Sequence, residues 1–165
     1  MRLRRFGENT SSYQRAAPSL FVEKQTSCDW NTRSVVIDAS ALIAFLRDEP
    51  GAEAVENVLD LPQTCYAHAL NLCEVYYDFW RASNQSAAEA VITDLVGLGI
   101  EERTDMDSQF WREVGRLKAV HRKVSLADCC ALALAKRLGA KLVSADRHEF
   151  EPLLAAGICQ IEFIR

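Results

Sequence analysis

Short apolar runs rich in β-branched residues alternate with longer amphipathic segments from residue 34 onward. An apolar run without polar alternation is typical of a central parallel strand, which is buried on both faces. The longer segments repeat apolar residues at helical spacing. This alternation predicts an α/β fold, a three-layer sandwich with a central parallel sheet of four to five strands. The predicted strands are residues 35–38, 64–67, 100–103, 141–144 and 159–163, and the predicted helices are residues 41–47, 52–59, 70–82, 87–98, 108–121, 126–138 and 150–155.

Two carboxylates follow predicted strands directly. Asp38 comes after the apolar residues 35–37, and Asp146 comes after residues 142–145. The carboxyl ends of parallel strands meet at one edge of a sheet, where open α/β folds place their sites. The structural alternatives are a helix N-cap for Asp38 and a turn residue for Asp146. Ser40 can cap the same helix or bond to Asp38 and to a metal-bound water.

A third acid, Glu74, lies inside a predicted helix and is surrounded by apolar residues. Burial of an unpaired carboxylate is costly, and the nearest following cation in the sequence, Arg81, is seven positions away. Glu74 therefore indicates a cation-binding role. The alternative is a narrow solvated stripe that Glu74 shares with Asn71 and Asp78.

Three helix starts show the capping-box pattern, in which Ser or Thr precedes an acid by three residues. They are residues 86–89, 104–107 and 125–128. We interpret Glu89 and Asp107 as capping residues. Asp128 differs because the helix that follows it is apolar almost all round, which places its start inside the fold. Asp128 can therefore serve both as a cap and as a ligand.

Four acids that converge without a partner base favour a bound divalent cation. Hard oxygen ligands select Mg²⁺ or Mn²⁺, and a cation relieves the repulsion among clustered carboxylates. We expect Asp38, Asp128 and Asp146 to be ligands and Glu74 to be a ligand or a water-orienting group, with Ser40 beside them.

Composition limits the remaining classes of protein. The chain has 165 residues, 49% of them apolar, and a net charge of −4, which argues against coating nucleic acid through bulk positive charge. Six cysteines without a C-x-x-C pair predict free thiols in a reducing cytoplasm. No apolar run is long enough to cross a membrane. Residues 1–33 are predicted to be a flexible basic lead-in, and residues 34–165 the folded domain.

Other catalytic motifs are missing. The histidines have no nucleophile elbow nearby, and neither the dinucleotide fingerprint nor the phosphate-binding loop occurs. A short basic cluster, Lys118, His121, Arg122 and Lys123, precedes residue 125. Such clusters are usually solvated helix ends and only secondarily phosphate contacts.

Four motifs in order resemble the PIN domain, particularly the VapC-type toxin ribonucleases. They are V-I-D-A-S-A-L at residues 36–42, Glu74 in an apolar helix, S-L-A-D at residues 125–128 and L-V-S-A-D at residues 142–146. The resemblance spans residues 34–165. It implies an acidic pocket that holds one or two Mg²⁺ or Mn²⁺ ions and cleaves RNA to 5′-phosphate and 3′-hydroxyl ends.

The resemblance also implies a homodimer and, for the toxin branch, a small antitoxin that blocks the pocket. By position, Asp38, Glu74, Asp128 and Asp146 match the acids of the family, and Ser40 matches its small hydroxyl residue. Many relatives have a further acid two positions after the last one. This chain has His148 there, with Glu149 beside it, which leaves the second metal position open.

Two alternatives come from other classes of protein. The first is a non-catalytic PIN-like module whose acids contact a basic partner. The second is a metal-dependent phosphatase of the haloacid-dehalogenase type, which also begins with an Asp at a strand end. That class needs a second Asp at the position of Ser40 and is therefore disfavoured, and a response-receiver domain is disfavoured further.

Overall fold

The computed structural model describes residues 33–154 and 156–165, and these form five strands and seven helices. The predicted lead-in lies outside the described residues, apart from Arg33. The strands are β1 (Ser34–Ile37), β2 (Thr64–His68), β3 (Ile100–Arg103), β4 (Lys141–Ser144) and β5 (Ile161–Phe163). The helices are α1 (Ala39–Leu46), α2 (Ala52–Asp60), α3 (Ala69–Ala82), α4 (Gln85–Gly97), α5 (Ser108–Val120), α6 (Leu126–Leu138) and α7 (Arg147–Leu154).

The strands form one parallel sheet in the order β3-β2-β1-β4-β5. Val36 in β1 lies opposite Tyr66 on one side and Leu142 on the other. From β1 the chain builds β2 and β3 outward on one side, and then β4 and β5 on the other. The switch point of the sheet therefore lies between β1 and β4, where α/β folds place their ligands.

Successive side chains of β1 enter two different cores. Ile37 packs with Phe45 and Phe79 on the face covered by α1 to α4, whereas Val36 packs with Phe110 on the face covered by α5 to α7. This alternation follows from the pleat of a strand whose two faces are both covered. The predicted three-layer α/β sandwich is confirmed.

Two of the three predicted capping boxes are wrong. Helix α4 begins after Asn84, whose side chain accepts from the backbone of Ala87, and Glu89 instead accepts from the Tyr76 hydroxyl at 2.7 Å. Helix α5 begins after Asp107, which is itself the N-cap, so Asp107 is a capping residue as interpreted but without the box from Thr104. In these two cases another residue with a short polar side chain takes the capping position. The box at the start of α6 is present in both halves.

No helix among the described residues has the length and apolar character needed to span a membrane. Within the same residues the cysteines are free thiols, buried at Cys65, Cys129, Cys130 and Cys159 and exposed at Cys73.

Candidate active site

Asp38 lies at the switch point, directly after β1. Its backbone N–H donates to the carbonyl of Val143 at 3.1 Å, which extends the pairing of β1 with β4. Its Oδ1 accepts from the backbone N–H of Ala41 and from the Ser40 hydroxyl, both at 2.9 Å. The side chain is fully buried, and its Oδ2 has no hydrogen-bond partner among the described residues. Asp38 is therefore an N-cap that keeps one carboxylate oxygen unpartnered.

Ser40 joins the ends of β1 and β4. Its hydroxyl donates to Asp38, accepts from the backbone N–H of Ala145 at 2.9 Å and lies 3.3 Å from the Ser144 hydroxyl. The Ser144 hydroxyl in turn accepts from the backbone N–H of Asp146 at 3.0 Å. Ser40 is thus a positioning residue that holds the two strand ends together, and the cap of α1 is Asp38.

Asp128 and Glu149 share one backbone donor. The N–H of Ser125 donates to Asp128 Oδ2 at 3.3 Å and to Glu149 Oε2 at 3.1 Å. Asp146 precedes α7, and its Oδ1 accepts from the N–H of Glu149 at 3.0 Å. The start of α6 and the start of α7 therefore bring three carboxylates next to one another.

Burial and the charges of neighbouring carboxylates raise the pKa values of Asp38 and Glu74. Burial, with a smaller contribution from the charge of Asp128, raises the pKa of Asp38 to about 7, although the hydroxyl of Ser144, the N–H of Ala41 and the hydroxyl of Ser40 act in the opposite direction. Burial and the charges of Asp128 and Glu149 raise the pKa of Glu74 to about 7. Asp128 is therefore the common neighbour of Asp38 and Glu74.

Glu149 belongs to the same group. Burial, a hydrogen bond with Asp128 and the charges of Asp128 and Asp146 raise the pKa of Glu149 above its ordinary value. We call Asp38, Glu74, Asp128, Asp146 and Glu149 the acid cluster. Within the described part of the chain, no lysine or arginine forms an ion pair with any of them.

The profile of the PIN domain matches residues 35–152. The chain belongs to the PIN domain family. PIN domains are nucleases, so the family places this chain among hydrolases that act on nucleic acid. The acid cluster lies at the switch point of this PIN domain, at the end of the sheet where a ligand is expected. No curated protein matches the chain.

Several solved structures share the fold. One is VapBC2 from Rickettsia felis bound to a DNA fragment from its promoter, with a TM-score of 0.62 and 13% identity over 79% of this chain and 98% of that one. A second is VapBC-1 from nontypeable Haemophilus influenzae, with a TM-score of 0.61 and 15% identity over 79% of this chain and 98% of that one. A third is VapC20 from Mycobacterium tuberculosis, a toxin that cleaves the sarcin-ricin loop, with a TM-score of 0.59 and 15% identity over 74% of this chain and 95% of that one.

The donor set of this PIN domain fits a hard divalent cation, although it is not preassembled. Among residues 33–154 and 156–165, no three acidic, histidine or cysteine side chains are grouped so that they would hold a metal ion. The donors are nevertheless all carboxylate oxygens, which suit Mg²⁺ or Mn²⁺. The unpartnered Oδ2 of Asp38 is a buried acceptor that such an ion would satisfy.

Asn71 is a residue of the site region that the sequence did not single out. It precedes Glu74 by one helical turn, is fully buried, and has no partner for either Oδ1 or Nδ2 among the described residues. The solvated-stripe interpretation is therefore wrong for Asn71. Asp78 is partly exposed and pairs with Arg47. Helix α3 therefore carries a buried amide, Asn71, as well as Glu74.

Proposed function

We propose that this PIN domain is a divalent-metal-dependent endoribonuclease. Asp38, Asp128 and Asp146 bind Mg²⁺ or Mn²⁺, and Glu74 binds the ion or orients the attacking water. The observation that carries the proposal is the acid cluster itself, because its members meet at the switch point and no lysine or arginine among residues 33–154 and 156–165 pairs with them. Like charges held together in this way become favourable when a divalent ion neutralises them.

The residues divide the work of cleavage. When bound, the ion supplies an activated water and neutralises charge on the phosphate oxygens. Ser40 fixes Asp38 through Oδ1, so that Oδ2 is the oxygen that would hold the ion. Glu74 accepts a hydrogen bond from the water that attacks phosphorus. The bond from phosphorus to the 3′ oxygen breaks, which leaves a 3′-hydroxyl and a 5′-phosphate.

Glu149 supports a role for a fifth acid. The position two residues after Asp146 is His148, but Glu149 is the side chain that contacts Asp128 and shares its donor. We propose that Glu149 completes the cation-binding group in place of an acid at position 148.

The solved structures support a toxin of a VapBC-type pair as the biological setting. They include VapBC structures, a toxin-antitoxin complex and one toxin that cleaves the sarcin-ricin loop. We propose a homodimer, a small antitoxin as partner and a location in the cytoplasm, which suits the free thiols. Helix α3 leaves Tyr77 and Trp80 each 46% exposed, which provides apolar surface for such contacts.

A direct test incubates the purified protein with total RNA in Mg²⁺ or in EDTA. Discrete fragments that appear only with Mg²⁺, and that the Asp38→Asn variant does not produce, are the expected result. Circular dichroism and gel filtration of the variant show whether its fold is intact. A folded Asp38→Asn variant with full activity would contradict the assignment. A short upstream reading frame that overlaps the gene would support the antitoxin.

The second candidate is a non-catalytic PIN-like module whose acids contact a basic partner. The lack of a preassembled metal group among the described residues favours it. If calorimetry detects no Mn²⁺ binding while a basic partner binds normally, this candidate replaces the nuclease.

A further inference from the structure

A cavity of about 430 Å³ lies beside the acid cluster, between the connection from α5 to α6 and the start of α7. Four side chains with basic nitrogen atoms line it, namely His121, Arg122, Lys123 and His148. The first three lie in the connection from α5 to α6, and His148 lies in α7. The fold therefore brings together residues from separate parts of the sequence.

The rest of the lining is apolar on one side and acidic on another. Val124 and Leu153 are both buried and provide the apolar part. The acidic part is Glu149, which accepts from the same Ser125 N–H as Asp128. Glu149 therefore belongs both to the cavity and to the acid cluster, so the cavity adjoins the proposed cleavage site.

The connection that carries the cations is held in place by Lys118. Its Nζ donates to the carbonyl of Arg122 at 2.9 Å and to the carbonyl of Val124 at 2.6 Å. Lys118 thus has a structural role, in contrast to Arg122 and Lys123. Arg122 and Lys123 are exposed and form no ion pair within the part of the chain that the structure describes.

The proposed reaction needs cations at this place. A net charge of −4 and five clustered carboxylates repel a phosphate backbone that approaches the site. Unpaired Arg and Lys side chains offset that repulsion and bind phosphate oxygens. The apolar lining can accept the face of a ribose or base, which an acidic peptide does not supply.

We propose that this cavity binds single-stranded RNA, with Arg122 and Lys123 contacting the phosphate next to the one that is cleaved. His121 and His148 add hydrogen-bond donors. This inference rests on the proposed ribonuclease activity and assigns that activity its substrate-binding subsite.

The test measures binding of a short fluorescent single-stranded RNA in Mg²⁺, with all variants made in an Asp38→Asn background to prevent cleavage. We expect the charge reversal Arg122→Glu/Lys123→Glu, called the cavity variant, to weaken RNA binding by about tenfold or more. The slope of log Kd against the logarithm of the salt concentration should fall by about one to two, because fewer phosphate contacts release counterions. The matched control is Arg81→Glu/Arg112→Glu, which reverses two exposed cations elsewhere on the protein and should change Kd less than about threefold.

A second measurement uses cleavage with Asp38 intact. The cavity variant should raise KM by about the same factor as Kd while kcat changes less than about threefold. Equal RNA affinity of the cavity variant and the control would overturn the subsite. The subsite would also be overturned if the wild-type protein bound an acidic peptide and the cavity variant lost that binding but kept its affinity for RNA. If the wild-type chain cleaves no RNA at all, the ribonuclease proposal fails. If the wild-type chain cleaves RNA and the cavity variant has the same Kd and KM as the wild type, only this inference is overturned.

Discussion

Two groups of acids in this PIN domain have opposite surroundings. In the acid cluster, burial and neighbouring carboxylates raise the pKa values of Asp38 and Glu74 to about 7. Near the start of α5, burial acts to raise the pKa of Asp105 as well, but Arg103 and Arg137 lower it below its ordinary value. A hydrogen bond from Arg137 is the largest cause that lowers the pKa of Asp107.

The second group, which we call the paired acids, is Asp105 and Asp107 with their two arginines. Arg103 Nε donates to Asp105 at 2.8 Å, and Arg137 donates to Asp105 at 2.7 Å and to Asp107 at 2.5 Å. Arginine side chains therefore pair with the acids near the start of α5, where the acids have a structural role. At the switch point, no lysine or arginine of the described ranges pairs with the acid cluster, and the proposed function requires a bound cation there.

The largest effect is expected from Asp38→Asn. Loss of one buried charge should lower Mg²⁺-dependent RNA cleavage by roughly 1,000-fold. The metal-free variant should be at least as stable as the wild type at pH 7, because Asp38 is buried with one unpartnered oxygen. Gel assays and denaturant unfolding measure the two effects. Asp107→Asn is the control from the paired acids, and its cleavage rate should stay within about threefold.

Replacement of Arg137 by Ala should affect stability instead of activity. It removes the hydrogen bonds to both paired acids and the contact of the guanidinium with Phe110 at 4.8 Å. We expect the free energy of unfolding to fall by about 1–2 kcal/mol, since solvent around Asp107 screens part of the interaction. Lys136→Met, which breaks an exposed pair with Glu113, should cost less than about 0.5 kcal/mol. An equal loss of unfolding free energy in both variants would show that Arg137 stabilises the fold no more than an exposed ion pair does.

The pH dependence of stability should differ between the two groups. The folded pKa values of Asp38 and Glu74 lie above their ordinary values, so the folded state holds more protons than the unfolded state. The metal-free protein should therefore lose stability as pH rises from about 4 to about 7. The paired acids have lowered pKa values, so they add stability above the ordinary range of Asp and lose it in acid.

Thermal unfolding between pH 4 and 8 tests this difference. The fall in Tm towards pH 7 should be weaker in Asp38→Asn and weaker again when Mg²⁺ is added to the wild type. A metal-free wild-type protein that gains stability steadily from pH 4 to 7 would contradict the raised pKa values.

A small effect is expected from Asn71→Leu. Because neither polar atom of Asn71 has a partner among the described residues, replacing the amide with an apolar side chain of similar size should change the free energy of unfolding by less than about 1 kcal/mol. Denaturant unfolding of the metal-free protein measures this change. A loss above about 2 kcal/mol would show that the amide is satisfied.

The sequence predicted the framework of the fold because the framework depends on local patterns. The apolar run before Asp146 located β4, and the capping box at Ser125 located the start of α6. These signals lie within a few residues of the element that they define, so one sequence is sufficient to find them.

The rest depends on tertiary contacts. Glu149 was predicted to lie just before the last helix, whereas α7 begins at Arg147 and turns that side chain towards Asp128. The pairing of Arg137 with Asp107 joins residues that are 30 positions apart. The burial of Asn71 depends on how α3 packs on the sheet. None of these contacts has a local signal in the sequence.

Calorimetric titration of Mn²⁺ into the wild-type protein at about pH 6.5 tests the central claim most directly. Carboxyl groups with raised pKa values must lose protons when a cation binds, so binding should release protons and its heat should vary with the ionisation enthalpy of the buffer. Asp38→Asn should bind more weakly and release fewer protons. Absence of Mn²⁺ binding, or binding without proton release, would contradict the account.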